Sequence, residues 1–176
     1  MILLFSVLET NRLTLRELSS DDAAFILRLL NEPSFLRFIG DKHVRTLDDA
    51  RQYIHNGPIA SYKKNGFGLY LVQLKSTETP IGMCGLLKRE TLSDVDIGFA
   101  FVPESWNKGY AFESAAAIMS YAKDVLKLPR IVAITNKDNE ASAKLLEKLG
   151  LHFERLIRLT GDDEEIRLFS SGNFLK

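Results

Sequence analysis

Apolar residues alternate with polar ones in some segments and recur at helical spacing in others. Leu13-Thr14-Leu15-Arg16 alternates and predicts a first strand. Ser19-Ser20-Asp21-Asp22 then offers N-cap side chains to a short helix over 23–31 with Phe25, Ile26, Leu29 and Leu30 as its apolar content. Pro33 and Gly40 predict irregular chain. Thr46-Leu47-Asp48-Asp49 has the capping-box form, and Leu47, Ala50 and Ile54 follow at helical spacing. That helix is expected to stop before Gly57-Pro58, with further helical residues over 59–64 ended by Asn65-Gly66.

The second half is more strongly patterned. Segments 67–74 and 81–89 flank the turn Thr77-Glu78-Thr79-Pro80 and predict an antiparallel pair, followed by a strand over 94–102. Residues 111–126 carry Ala111, Ala115, Ile118, Ala122 and Val125 on one helical face. A β-branched strand over 130–135 follows. Asp138 or Asn139 then caps a helix bearing Ala141, Leu145, Leu146 and Leu149, with Gly150 as its C′ residue. Segments 153–159 and 164–170 pair around Thr160-Gly161-Asp162-Asp163. Hairpins dominate, and a single crossover through the long helix implies a local parallel pair. The fold class is α+β.

Composition narrows the function. The 176 residues are 45% hydrophobic and 26% charged, which suits one domain with a substantial core. Lys+Arg and Asp+Glu balance at 23 each, so direct nucleic-acid binding is not expected. Cys84 is the only cysteine, which excludes an intrachain disulfide and a Cys-rich metal site. It reads as a small core residue. His43, His55 and His152 lack ligand spacing, so no metal is expected. Met1 to Phe5 is apolar but short, without a basic n-region, and no apolar run reaches the roughly 18–20 residues of a membrane span. A cytoplasmic protein without membrane partners is the expectation.

The chemistry concentrates between Asp96 and Glu113. Asp96-Ile97-Gly98-Phe99-Ala100-Phe101-Val102 is an apolar strand, Pro103 to Gly109 a loop, and Tyr110-Ala111 opens the long helix. A strand that runs through a Gly loop into a helix N-terminus makes an anion cradle. The first N–H groups of the helix have no intrahelical partner, and the helix dipole adds partial positive charge. A phosphate-bearing ligand is expected there. Asn139 and Ser142 lie three apart, hence on one helical face.

These motifs resemble the GNAT acyltransferases, and among them the RimJ/RimL-like branch that includes ribosomal-protein N-terminal acetyltransferases. Glu9 to Arg16 is similar to the branch's first strand. Asp96-Ile97-Gly98-Phe99 with Pro103, Trp106, Lys108-Gly109-Tyr110-Ala111 and Glu113 is similar to its acetyl-CoA signature. Asn136, Asn139, Ser142 and Glu147-Lys148-Leu149-Gly150 match the element that follows. Asn107 stands where the branch commonly has Gly, and Asn is the best non-Gly residue for positive φ. Leu146 fills the slot in which many members carry a Tyr general acid.

The resemblance implies a mixed, mostly antiparallel sheet of about seven strands with about four helices and one parallel pair splayed at the acetyl-CoA site. It implies a single domain over 1–176, with an acceptor-side portion over 1–90, an acetyl-CoA-binding core over 91–153 and a C-terminal hairpin over 154–176. Acetyl-CoA would lie along backbone groups of Phe99, Phe101 and Val102. Its pyrophosphate would sit on the N–H groups of Asn107, Lys108, Gly109, Tyr110 and Ala111. Asn139 would contact the pantetheine arm and Ser142 would lie near the thioester sulfur.

Asp96 is the leading general-base candidate, with Asp94 on the same face and Glu90 at the end of the preceding strand. Ser142 is the candidate that protonates the leaving thiolate. Glu113 reads as structural. Phe35, Phe38, Tyr53, Tyr62, Phe67 and Tyr70 are available to wall an acceptor slot or to fill the core. Lys63-Lys64 reads as a solvated face and Asp162-Asp163-Glu164-Glu165 as a soluble turn. The expected reaction is direct acetyl transfer in a ternary complex to a primary amine, on a small molecule or a protein N-terminus, by a monomer or homodimer. The alternative is a non-catalytic acyl-CoA-binding sensor or partner module.

Overall fold

Successive antiparallel pairings build one edge of the sheet, and a helical crossover turns the chain back to build the other. A computed structural model describes residues 6–159 and 164–174. The turn expected over 160–163, including Asp162 and Asp163, and the apolar Met1 to Phe5 lie outside these residues. The strands are β1 (Ser6–Glu9), β2 (Leu13–Arg16), β3 (Leu69–Leu74), β4 (Pro80–Leu87), β5 (Val95–Phe101), β6 (Ile131–Asn136), β7 (His152–Ile157) and β8 (Ile166–Ser170). They form one sheet in the order β1-β2-β3-β4-β5-β6-β8-β7. Every pairing is antiparallel except β5 with β6.

The helices are α1 (Ala23–Leu30), α2 (Pro33–Phe38), α3 (Leu47–Ile54), α4 (Ala60–Asn65), α5 (Tyr110–Asp124) and α6 (Glu140–Lys148). Leu13, Leu15, Ile97, Phe101, Ala115, Ile118, Ala133, Leu146 and Phe169 share one core cluster with α5 and α6. Leu71, Met83 and Val102 join Ile26, Leu29, Phe35 and Ile54 in a second cluster with α1 to α3. The sheet is therefore covered on both faces, and burial of these side chains is the main stabilising term.

Three expectations need correction. Among the described residues the sheet has eight strands, not seven, because Ser6–Glu9 adds an edge strand on β2. Four residues with exposed ends carry too little alternation to signal a strand. Pro33 opens α2 rather than irregular chain: at a first helical position its missing N–H breaks no bond and its fixed φ suits the helix. Nor does the helix stop before Gly57-Pro58. A π-helical turn over His55–Ile59 carries it into α4, with Pro58 buried inside, and the wider turn accommodates a residue that cannot donate. Among the described residues there are six α-helices where about four were expected.

Local signals hold elsewhere. Thr46 Oγ1 accepts from the Asp49 N–H at 3.1 Å while Asp49 Oδ2 accepts from the Thr46 N–H at 2.9 Å, a complete capping box. Ser19 and Asp22 form a second one ahead of α1.

Candidate active site

The parallel pair that the crossover creates is short. Val95 pairs with Ile131 and Asp96 with Val132, and the ladder ends there. Both strands run on, β5 to Phe101 and β6 to Asn136, while β5 stays paired with β4 along its other edge. From Ile97 onward the edge of β5 that faces β6 has lost its partner strand. Backbone N–H and C=O groups there require another one, which an extended ligand can supply.

At the open end lies the anion cradle. Asn107 takes φ 58° and Gly109 φ 81°. These two left-handed residues turn the chain from the short 3₁₀ turn Pro103–Ser105 into α5. Among the described residues, the N–H groups of Asn107, Lys108 and Gly109 have no hydrogen-bond partner. The N–H groups of Tyr110, Ala111 and Phe112 belong to the first helical turn, and the earliest intrahelical donor is Glu113, bonded to Gly109 O at 3.0 Å. A run of orphan donors at the positive end of a fifteen-residue helix fits a pyrophosphate.

The loop is held from beneath. Arg12 Nη1 donates to Lys108 O at 2.9 Å, and its guanidinium lies 4.6 Å from the centre of the Tyr110 ring. Glu113 accepts from Thr10 Oγ1 at 2.6 Å, from the Arg12 N–H at 2.9 Å and from Arg12 Nε at 2.7 Å. Burial raises the Glu113 pKa, but these donors outweigh it and hold the carboxyl below its ordinary value. Glu113 is a structural tie, as its position suggests. Arg12 is the part of this support that the sequence does not single out.

The strand residues divide by face. Phe99 and Phe101 pack toward α5, whereas Ala100 and Val102 meet the α1–α3 layer. The Phe101 carbonyl accepts from Trp106 Nε1 at 2.8 Å. The Val102 N–H donates to Ile81 O at 3.0 Å, and its carbonyl accepts from Ser105. Val102 thus has no free N–H to offer a ligand, unlike the reading that placed it beside Phe99 and Phe101. Across the gap, Asn139 Oδ1 caps α6 by accepting from the Ser142 N–H at 3.1 Å, and the Ser142 hydroxyl has no partner among the described residues. Leu146 is buried in the core.

Asp96 sits at the apex of the splay and is only 1% exposed. Arg89 Nε lies 3.1 and 3.2 Å from its two oxygens. Desolvation raises the Asp96 pKa, and the Arg89 charge opposes that rise without cancelling it. Asp94 is held 3.5 Å from Arg130, and Glu90 lies exposed in a turn beyond β4. Gly98 and Ala100 follow Asp96 on the same face of the strand, where Leu87 lies over Gly98 and Ala100 packs on the α1–α3 layer. Phe35, Phe67 and Tyr70 are core residues, and Tyr62 stacks on Tyr70. Lys63 and Lys64 are exposed on α4. Cys84 is fully buried, with its thiol pKa pushed up to about 12 by desolvation.

Two hollows open on the surface. One, of about 400 Å³, is lined by Lys42, Val44, Asp49, Gln52, Tyr53 and Asn56. The other, of about 180 Å³, is framed by Asp94, Arg130, Arg155 and Arg158. No group of three or more His, Cys, Asp or Glu side chains is arranged to hold a metal ion among the described residues, and no helix there is long and apolar enough to cross a membrane.

The chain is similar to known proteins in sequence and in fold. Residues 12–152 match the acetyltransferase (GNAT) domain. The chain is 31% identical over 157 residues to the uncharacterized N-acetyltransferase YoaA of Bacillus subtilis, with 88% of each chain covered. An acetyltransferase structure from Agrobacterium tumefaciens superposes with a TM-score of 0.80 at 25% identity, covering 97% of each chain. RimL, a ribosomal L7/L12 alpha-N-protein acetyltransferase solved in complex with coenzyme A, shares the fold with a TM-score of 0.81 at 16% identity over 94% of this chain and 97% of its own. The domain match spans the splayed strands, the cradle and the capped helix together, and the chain belongs to the GNAT family of N-acetyltransferases.

Proposed function

We propose that the chain is an acetyl-CoA-dependent N-acetyltransferase of the RimJ/RimL-like branch that acetylates a primary amine, on a small molecule or a protein N-terminus. The observation that carries this reading is the splay of β5 from β6 beside the unpartnered N–H groups of the 107–112 loop. A single domain accounts for the whole site, because the acceptor-side residues up to Arg89 and the core after it converge on Asp96. A cytoplasmic monomer or homodimer suits this activity.

Acetyl-CoA supplies an acetyl group on a thioester. The N–H groups of Asn107 to Ala111 hold its phosphates, and the backbone of Phe99 and Phe101 aligns its arm in the gap. Asn139 fixes the facing wall. A strand N–H near Phe99 polarises the carbonyl. The amine nitrogen bonds to the carbonyl carbon as the carbon–sulfur bond breaks. Asp96, at 1% exposure, takes the amine proton through one water. The Ser142 hydroxyl donates to the departing sulfur.

The test is incubation with acetyl-CoA and a panel of amines and N-terminal peptides, following release of free thiol. Amine-dependent thiol release is expected. Tight coenzyme A binding without thiol release across the panel would replace this reading with a non-catalytic acyl-CoA-binding module.

A further inference from the structure

Asp96 is buried with fewer hydrogen bonds than a structural carboxylate receives. Apolar residues flank it on both sides, Leu87 opposite it on β4 and Val132 opposite it on β6. Arg89 lies two residues past Leu87, where the chain returns to the same face and brings its guanidinium to the carboxylate. The contact is a single one. Nε sits between the two oxygens at 3.1 and 3.2 Å, and among the described residues no other side chain bonds Asp96. The Arg89 terminal nitrogens have no partner there.

The same molecule contains the stabilising form of such a pair. Arg16 gives both terminal nitrogens to Asp22, Nη1 to Oδ2 at 2.9 Å and Nη2 to Oδ1 at 2.8 Å, and the Ser19 N–H adds a third bond at 2.8 Å. That fork fills most of the roughly four lone-pair sites of a carboxylate. Asp96 is buried more deeply than Asp22, at 1% against 8% exposure, and has fewer donors. Burying a charge with so few donors costs stability, which points to a use for the pair beyond holding the fold. Other charged groups nearby are engaged or out of bonding reach among the described residues. Asp94 on β5 is held by Arg130, just before β6, and Lys88 donates to the Ser93 carbonyl at 2.6 Å. On the side of α2 and α3, Lys42 and Tyr53 feel the Arg89 charge and make no bond to Asp96.

We propose that Arg89 is the positioning residue of acetyl transfer, its one N–H holding the buried Asp96 ionised and oriented while the other lone pairs of the carboxylate stay available to the water that carries the amine proton. The proposal rests on the reading of Asp96 as the base. Without the guanidinium, the carboxylate lies between two apolar neighbours with no counter-charge, and it stays protonated and inactive up to a higher pH. Because the contact runs through one N–H and not a fork, a lysine ammonium can take its place, as it cannot at a bidentate site.

The experiment follows thiol release from acetyl-CoA against pH for the parent, Arg89→Gln and Arg89→Lys, using an amine that the parent acetylates. The Asp96 carboxyl carbon is titrated by NMR in the same three proteins. The Arg89 side chain is 35% exposed, so glutamine is accommodated. Arg89→Gln is expected to move the acid limb of kcat and the Asp96 titration upward together by about 1–3 pH units. On the acid side kcat then falls by about tenfold per unit moved. Arg89→Lys should bring both back toward the parent, and KM for acetyl-CoA should stay within about twofold in all three. A limb and a titration that stay in place in Arg89→Gln overturn the proposal, whatever happens to kcat. A loss confined to the acceptor KM also overturns it and makes Arg89 an acceptor contact. Both outcomes leave acetyl transfer standing. A parent that acetylates no amine or peptide of the panel, or an Asp96→Asn variant that keeps the acid limb, removes the base reading and the proposal with it.

Discussion

Arg12 and Glu113 meet at 2.7 Å across 101 residues of sequence and join the start of β2 to the first turn of α5. The same guanidinium bonds the Lys108 carbonyl, so one ion pair fixes the height of the phosphate loop. Glu113→Gln keeps the volume but loses the charge, and is expected to cost about 1–2 kcal/mol of stability. It should also weaken acetyl-CoA binding by about tenfold, because the loop donors lose their fixed positions. The Glu113 pKa is depressed in the fold. Its contribution is therefore present above about pH 4.3, the unfolded value, and is lost as pH falls through the folded one. Thermal melts against pH should show an acid-side fall in the parent protein that is shallower in Glu113→Gln. Identical profiles would remove the ion pair from the account.

Asn107 should tolerate one replacement and reject others. At φ 58° a glycine fits without strain, whereas a β-branched residue is strained by about 1–2 kcal/mol. Asn107→Gly is expected to bind acetyl-CoA within about twofold of the parent. Asn107→Val is expected to melt earlier and to bind more weakly. Calorimetric titration of both decides it, and unchanged affinity in Asn107→Val would show that the loop conformation does not matter for the cofactor.

Cys84 supplies a negative control. Its thiol is buried, its pKa is raised to about 12, and Ser114 is its side-chain hydrogen-bond partner. Burial and the raised pKa both oppose a thiolate nucleophile at neutral pH. Cys84→Ala should cost about 1 kcal/mol for the small void and leave kcat unchanged. A large kcat loss with intact folding, or a transient acetylated protein in mass spectrometry, would revive a covalent route.

The hairpins and the cradle were legible because their signals are local. Alternation marks β3 to β5, turn residues mark Thr77 to Pro80, and the left-handed positions of the phosphate loop show as Asn107 and Gly109. β1 and α2 escaped because four and six residues carry too little periodicity. Pro58 reads as a stop, yet tertiary packing holds the helix through it as a π turn. The charge environment of Asp96 is invisible in the sequence for a different reason. Arg89 and Asp96 are seven residues apart, and only the pairing of β4 with β5 turns the chain so that they meet. Of the aromatic residues that the sequence left between acceptor slot and core, Phe35, Phe67 and Tyr70 are buried in the core.

Ser142 and Asn139 separate chemistry from binding. The Ser142 N–H is already used in capping α6, so only its hydroxyl is available to a ligand. Ser142→Ala leaves the cap intact and is expected to lower kcat by about tenfold with little change in acetyl-CoA affinity. Asn139→Ala removes the cap, costs about 1 kcal/mol, and should weaken binding. If Ser142→Ala shifts only the affinity, the hydroxyl is a contact and not the proton donor.

Asp96 makes the sharpest prediction because stability and activity should respond to it in opposite ways. Its folded pKa is raised by desolvation despite Arg89. The fold thus favours the protonated form, and the resulting stability is present below about pH 3.9 and lost as pH rises through the folded value. At neutral pH the buried charge opposes folding, so Asp96→Asn should melt no earlier than the parent, since the Arg89 side chain is 35% exposed and can be solvated. A base must be ionised to act, so the acid limb of the kcat profile should lie above the ordinary carboxylate range in the parent and vanish in the variant. The rate should fall by about 10²–10⁴-fold. Acetyl-CoA affinity should stay within about threefold, because Asp96 lies at the opposite end of β5 from the phosphate loop. Retention of the acid limb in a well-folded Asp96→Asn would assign the proton to another group and leave Asp96 with the single role of holding Arg89.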